Sequence, residues 1–303
     1  MFVPFLLGEC VVDPNVLVSQ QDASVNFVWG SQAGQIEARY VRRRPDRFIV
    51  YLSVQTGCNL SCRMCHLTQS GQTRTVNLQP EEILIQARAV LDWYRAQQQA
   101  GAVSAATGVD YSFMARGDFM NNPALLNAAD ELISSLEAAA KEHGLSSRVK
   151  ISTIMPRSLG DRTLESIFRQ STPDIYYSLY SVDPAFRERW LPRAMDVRPA
   201  LDQLVDWQQA SRKLVVLHSA FIAGENDSHE SILGIGREVA ESGLRCDYNV
   251  VRYNPYSRIH GAETAHLSDC VSWLREALPT SVVTVIDRVG RDVYASCGMF
   301  VPK

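Results

Sequence analysis

From residue 47 onward, short runs rich in β-branched and aromatic residues alternate with longer amphipathic ones, and that alternation leaves few folds open. Strands are predicted over 47–54, 111–116, 149–154, 175–181, 213–222, 247–253 and 281–286. Helices are predicted between them over 80–98, 123–143, 161–170, 198–211, 228–242 and 268–278. Pro123 at a first helical turn, and Gly144 and Gly243 just past helix ends, supply start and stop chemistry. A strand recurring at roughly 30–40 residues predicts a parallel sheet wound by βα units. About six units are present, fewer than the eight of a closed barrel. The expected fold is therefore α/β, a partial (β/α)6 TIM-type barrel, which fits the length better than a doubly wound sheet. Ahead of it, 25–29 and 35–41 read as strands with a turn between Gly30 and Gly34, a small N-terminal antiparallel β extension. The expected division is 1–46 for the extension and 47–303 for the barrel.

Composition excludes several classes. No apolar stretch in the 303 residues approaches the ~18 that a membrane-crossing helix needs. The apolar residues 1–10 lack a basic flank and a small-residue cleavage site, so a cytoplasmic protein without membrane association is expected. A formal net charge of −3 argues against non-specific nucleic-acid binding. Locally, Arg42-Arg43-Arg44 with Arg47, and Trp190 among its arginines, could touch a polyanion or be ordinary surface.

Three of the seven cysteines form Cys58-x3-Cys62-x2-Cys65, directly after the first barrel strand, while Cys10, Cys246, Cys270 and Cys297 are scattered. Without a secretory signal, metal or redox chemistry is a better reading than a disulfide framework. Zinc asks for four ligands, and although His66 is adjacent, no downstream pair has the required form. Three close thiolates suit a [4Fe–4S] cluster in which one iron lacks a protein ligand and is free to bind something. Three buried, unligated thiols are the plain structural alternative. Other polar groups fall at strand ends: Arg116-Gly117-Asp118, Ser152-Thr153, Ser178, Asn254-Pro255 and, after the last strand, Cys297. In parallel βα architectures such groups converge on one mouth.

The cysteine spacing after a strand that opens a partial barrel resembles the radical S-adenosylmethionine superfamily. There, the resemblance implies, three thiolates hold three irons and the fourth chelates the methionyl end of S-adenosylmethionine. Reductive cleavage then gives methionine and a 5′-deoxyadenosyl radical. Further marks resemble the RlmN/Cfr-type RNA adenine methyltransferases. They are Val54-Gln55-Thr56-Gly57-Cys58, Asn77-Leu78 with Glu81-Glu82-Ile83 and Gln86, Ser112-Phe113-Met114-x-x-Gly117-Asp118 and Ile151-Ser152-Thr153. Ser178-Leu179-Tyr180, Gly224-x-Asn226-Asp227-Ser228, Tyr253-Asn254-Pro255-Tyr256 and Ala295-Ser296-Cys297-Gly298 complete the set. By position, Cys58, Cys62 and Cys65 would ligate the cluster, and Gly117 and Asp118 would bind the methionyl amino group. Ser152, Ser178, Leu179, Tyr180 and Asn254 would contact the rest of the cofactor. Cys297 would be the nucleophile that accepts a methyl group by displacement and carries it to an adenine carbon.

The chain departs from that pattern in places. The family's resolving cysteine, which releases product by a disulfide, corresponds to Tyr51, seven residues before Cys58. Cys10 is the least remote substitute. Gly-Glu-Pro becomes Gly117-Asp118-Phe119, and Ser-Leu-His ends in Tyr180. About 25 residues precede the first shared strand, so the family's helical accessory domain is not expected. Three readings follow: a radical methylase acting through Cys297 on an adenine in rRNA or tRNA; a relative acting on a small molecule and quenching its radical through Tyr51; or a non-enzymatic iron–sulfur redox protein. Either enzyme would need a reductant such as flavodoxin or ferredoxin.

Overall fold

The computed structural model describes residues 5–7, 10–31 and 33–302. β1 (Phe5–Leu7) pairs with β2 (Cys10–Val12). β3 (Asn15–Val18), β4 (Val25–Ser31) and β5 (Gly34–Val41) form an antiparallel meander, and β5 lies antiparallel to β6 (Arg47–Tyr51). From there every neighbour is parallel: β7 (Gly108–Phe113), β8 (Ser146–Thr153), β9 (Asp174–Ser178), β10 (Val215–Ser219), β11 (Cys246–Val251) and β12 (Val283–Ile286). Among the described residues β3 to β12 make one ten-stranded sheet in strict chain order, with β3 and β12 as its edges. The crossovers carry α1 (His66–Gln69), α2 (Pro80–Gln99), α3 (Pro123–Asn127), α4 (Ala129–Glu142), α5 (Leu164–Ile167), α6 (Pro184–Trp190), α7 (Val197–Ser211), α8 (His229–Ser242) and α9 (Leu267–Ala277). A doubly wound sheet reverses its order at a switch point. This sheet never does, so every crossover advances the same way and the parallel strands curl into a partial barrel. Among the described residues no helix is long and apolar enough to cross a membrane.

The two faces of the barrel strands differ. Phe48, Val50, Val109, Tyr111, Val149, Ile151, Ile175, Tyr177, Leu217 and Val250 are buried in one apolar layer with Ile83, Ala87 and Leu91 of α2, Leu132 and Leu136 of α4, Leu204 of α7 and Ile232 of α8. The alternate residues Arg47, Ile49, Tyr51, Lys150, Tyr176 and Asn249 are only half-buried and frame an interior cavity. A closed eight-stranded barrel fills its centre with side chains; here the centre is open.

Some predicted boundaries shift. The helix expected over 123–143 breaks at Ala128, whose φ of −121° and ψ of 24° are not helical, giving α3 and α4. The helix expected over 161–170 is a single turn, α5, closed by reciprocal bonds between Thr163 and Ser166. α6 was not anticipated, although Asp183 caps it and Pro184 occupies its first turn. The first barrel strand leaves its ladder after Tyr51, and Val54 N and Gln55 N instead donate to Arg116 O at 2.8 and 3.2 Å.

The N-terminal meander holds the C-terminal segment in place. Glu37 on β5 is fully buried between Arg39 at 2.9 Å and Arg116 at 2.7 Å. Burial opposes its charge, but the two guanidinium groups prevail and lower its pKa. The same arginines donate to backbone carbonyls beyond β12, Arg39 to Met299 O at 2.6 Å and Arg116 to Val301 O at 3.0 Å. Removing one member of a buried ion group leaves a charge unpaired. Glu37→Ala should therefore lower the unfolding free energy by about 3–5 kcal/mol in urea titrations; a loss below about 1 kcal/mol, typical of exposed pairs, would refute this role.

Candidate functional site

The loop after β6 is shaped by close backbone contacts. A Cβ on Gly57 would meet Arg74 O at 2.2 Å and Gln72 O at 2.6 Å, so only glycine fits immediately before Cys58. Cys58 N donates to Gln72 O at 3.2 Å, Ser61 turns the chain at φ 59°, and Cys65 N closes onto Cys62 O at 3.1 Å before α1 begins. Cys58, Cys62 and Cys65 are half-buried and line one cavity at the C-terminal ends of the parallel strands. Burial pushes the Cys58 thiol up to about 12 and the Cys65 thiol up to about 11. Burial also raises Cys62, and the charges of Cys58 and Cys65 add to it. Three thiols whose ionisation burial disfavours suit a cationic iron cluster, which stabilises all three thiolates together. Among the described residues no group of three or more His, Cys, Asp or Glu side chains is arranged to hold a single metal ion. The cluster assignment therefore rests on the donor type, the spacing and the shared cavity.

The other expected residues arrive from separate strands. Gly117 has φ 90°, and a Cβ there would strike the Gln55 side chain at 2.7–2.9 Å. Asp118 lines the cavity; its Oδ1 accepts from Met120 N and its Oδ2 from Ile154 N, both at 2.9 Å. Burial outweighs those bonds and holds its carboxyl up at about 6. Ser152 of β8 and Ser178 of β9 line the same wall. Tyr180 follows at the left-handed φ of 60°, with its N–H on Ser219 Oγ at 2.8 Å. Such a backbone is costly for a tyrosine and directs its ring into the cavity beside Leu60 and Met64.

The segment after β12 delivers Cys297 to this cavity. His66, adjacent to Cys65, donates its N–H to Gly298 O at 3.0 Å, and its Nε2 lies 2.9 Å from Asn254 O. Asn254 Nδ2 in turn donates to Cys297 O at 3.0 Å and Ser296 Oγ at 3.2 Å, while Arg288 Nε holds Asn254 Oδ1 at 2.9 Å. The cysteine loop and the Cys297 loop are thus stapled together. Cys297 is ringed by protein yet exposed, because it faces open space on two sides. One side is the cysteine cavity. The other is a chamber of about 300 Å³ running down the inner faces of the strands, which Tyr51 also lines. Burial raises the Cys297 thiol, and Arg39 and Arg43 oppose that shift.

Several expectations need correction. Leu179 packs into the main apolar core, fully buried, rather than lining the cavity, so its side chain is not a cofactor contact. Asn254 lines the cavity, and its amide is also engaged by Ser296, Cys297 and Arg288, so it clamps the Cys297 loop as well. Trp190 is buried with its Nε1 on Glu225 at 2.9 Å and is not available to a polyanion. Arg42 is tied to Ser104 O and Ala105 O, and Arg44 to Asp46. Cys246 and Cys270 are buried away from both cavities, and the Cys10 side chain lies outside the described residues.

His218 on β10 escaped the sequence reading. It is directly in register with Ser178, its Nε2 lies 2.7 Å from Ser178 Oγ, and it lines both cavities. Burial lowers its pKa to about 4, so the ring is neutral at neutral pH. Between pH 6.5 and 4 the unfolded chain takes up a proton that the fold refuses, so stability falls as pH falls. Wild type should lose about 3 kcal/mol relative to His218→Gln between pH 7 and pH 4, a comparison in which Asp118 cancels. A pH-independent difference in urea midpoints would show that His218 titrates normally.

Fold and site together define a class. A solved radical SAM methyltransferase from Sphaerobacter thermophilus aligns over 95% of this chain and 81% of its own, with a TM-score of 0.72 at 19% identity, and the chain has its fold. The FeFe-hydrogenase maturase HydG from Carboxydothermus hydrogenoformans aligns over 82% of this chain and 55% of its own, with a TM-score of 0.52 at 16% identity. In sequence, the chain is homologous to proteins named dual-specificity RNA methyltransferase RlmN. It is 23% identical over 295 residues to that of Desulfotalea psychrophila, covering 94% of this chain and 76% of the relative. It is 24% identical over 311 residues to the probable RlmN of Bifidobacterium adolescentis, covering 100% of this chain and 76% of the relative. No protein-family model matches the chain.

Proposed function

We propose that this protein is a radical S-adenosylmethionine methyltransferase that uses Cys297 to carry a methyl group to an adenine carbon in RNA. The observation that carries the reading is the position of Cys297 between the cavity of Cys58, Cys62 and Cys65 and the chamber inside the barrel. When bound, the cluster and S-adenosylmethionine would supply the methyl group and a carbon radical strong enough to activate it. Cys58, Cys62 and Cys65 would hold the irons, and Gly117 and Asp118 would receive the methionyl amino group. Ser152, Ser178 and Tyr180 would bind the remainder from the wall. Asn254, fixed by Arg288, keeps the Cys297 backbone in place while its thiol is alkylated. RNA as the substrate is supported by the names of the sequence relatives. A flavodoxin- or ferredoxin-type reductant in the cytoplasm completes the reading.

Tyr51 favours a second reading. It shares the chamber with Cys297 where a resolving thiol would be needed, and burial raises its phenol so that the proton stays on. A phenol cannot form a disulfide, so a non-RNA substrate with a different radical quench is the alternative. Incubation with S-adenosylmethionine, reductant and a panel of rRNA and tRNA should yield a methyladenosine in digested nucleosides. A methylated Cys297 with no methylated nucleoside would shift the assignment to the alternative.

A further inference from the structure

The chamber inside the barrel has a charge pattern that the proposed chemistry at Cys297 does not require. Arg43, Arg44, Arg47 and Arg148 line it toward the N-terminal ends of the strands, opposite the cysteine loop, and Lys150 lies further along β8. Asp110 is the acidic residue in that lining, and it is shared by Arg47 at 2.9 Å and Lys150 at 2.7 Å. Asp46 neutralises Arg44. Among the described residues Arg43 and Arg148 have no carboxylate within ion-pairing distance, and both are exposed. In a chain with a net charge of −3, this concentration of unmatched positive charge at one mouth is local. Deeper in, Tyr51 and Tyr176 present aromatic rings, Asn249 an amide, and the far end is Cys297. About 300 Å³ is at the small end of ligand sites and suits one nucleotide rather than a folded strand.

We propose that this chamber seats a single nucleotide, with its phosphate on Arg43 and Arg148 at the strand N-terminal mouth and its base against Cys297. The identity of the base rests on the methyltransferase reading; the phosphate site rests on the chamber alone. The nucleotide arrives either free or turned out of an RNA strand, and the phosphate contact is the same in both cases. Arginine is well suited to it, because its planar fork matches phosphate oxygens and its charge persists at any working pH.

The test is equilibrium binding to the holoprotein without reductant, so that no turnover is involved. The probes are adenosine, adenosine monophosphate and a short adenosine-containing RNA. At least one phosphate-bearing probe should bind about tenfold or more tighter than adenosine, and that preference should weaken with salt. It should vanish in Arg43→Gln/Arg148→Gln, whose melting temperature should be unchanged because neither side chain has an ion pair to lose. Tight binding of the monophosphate identifies a free nucleotide; tight binding of the strand alone identifies a nucleotide within RNA. Equal affinity for all three probes, no measurable binding of any, or a preference that survives the double substitution would overturn the site. Methyl occupancy of Cys297 in the wild-type protein decides the methyltransferase reading separately.

Discussion

Wild-type protein incubated with S-adenosylmethionine should gain the mass of one methyl group on Cys297, and Cys297→Ala should gain none and form no product. The expected loss is total because no other described cysteine outside the proposed cluster ligands faces either cavity. A displacement at a sulfonium methyl needs a thiolate. Burial keeps this thiol protonated more than usual, while Arg39 and Arg43 favour its ionised form. Methylation of Cys297 should therefore accelerate as pH rises above neutrality. The alanine variant should fold normally, since the loop is held through the Cys297 and Gly298 backbone carbonyls rather than through the thiol. An unmodified Cys297 after incubation with active holoprotein would remove the methyl-carrier mechanism.

The second large effect concerns the cluster. In anaerobically reconstituted protein, Cys58→Ala, Cys62→Ala or Cys65→Ala should each reduce iron and sulfide to background and abolish the visible absorbance. Each substitution deletes one of three thiolates, and with three ligands holding the group there is no spare donor in the loop. The fold should survive, because all three side chains open toward a cavity, whereas the main apolar core is built by the outer strand faces. A full cluster in any one variant would refute the ligand assignment.

What the sequence disclosed was what neighbours along the chain determine. The cysteine triplet is a local pattern, and its place after a strand followed from the run 47–54. The order of strands followed from alternation, because a crossover between parallel neighbours leaves little topological freedom. The break at Ala128 and the seven-residue α6 depend on packing that short propensity windows do not register. His218 and Ser178 are forty residues apart and meet only through the parallel register of β9 and β10. Glu37 and Arg39 on β5 and Arg116 beyond β7 form a buried group because the C-terminal segment covers them, a contact between distant parts of the chain. The run Arg42-Arg43-Arg44 divides its duties for a similar reason, with Arg43 facing the chamber where Arg148 arrives from β8. Tyr51 lies seven residues before Cys58 in the sequence, but its place in one chamber with Cys297 depends on the curl of the sheet and the return of the C-terminal segment.

The central claim is that three cysteines hold a cluster whose remaining iron binds S-adenosylmethionine. Its most direct test is the release of 5′-deoxyadenosine by reduced, reconstituted protein, measured by chromatography with mass detection. If the proposed ligand set is right, release is slow without any acceptor and absent from Cys58→Ala, Cys62→Ala and Cys65→Ala. No 5′-deoxyadenosine from wild-type protein carrying an intact cluster, across several reductants and candidate acceptors, would contradict it.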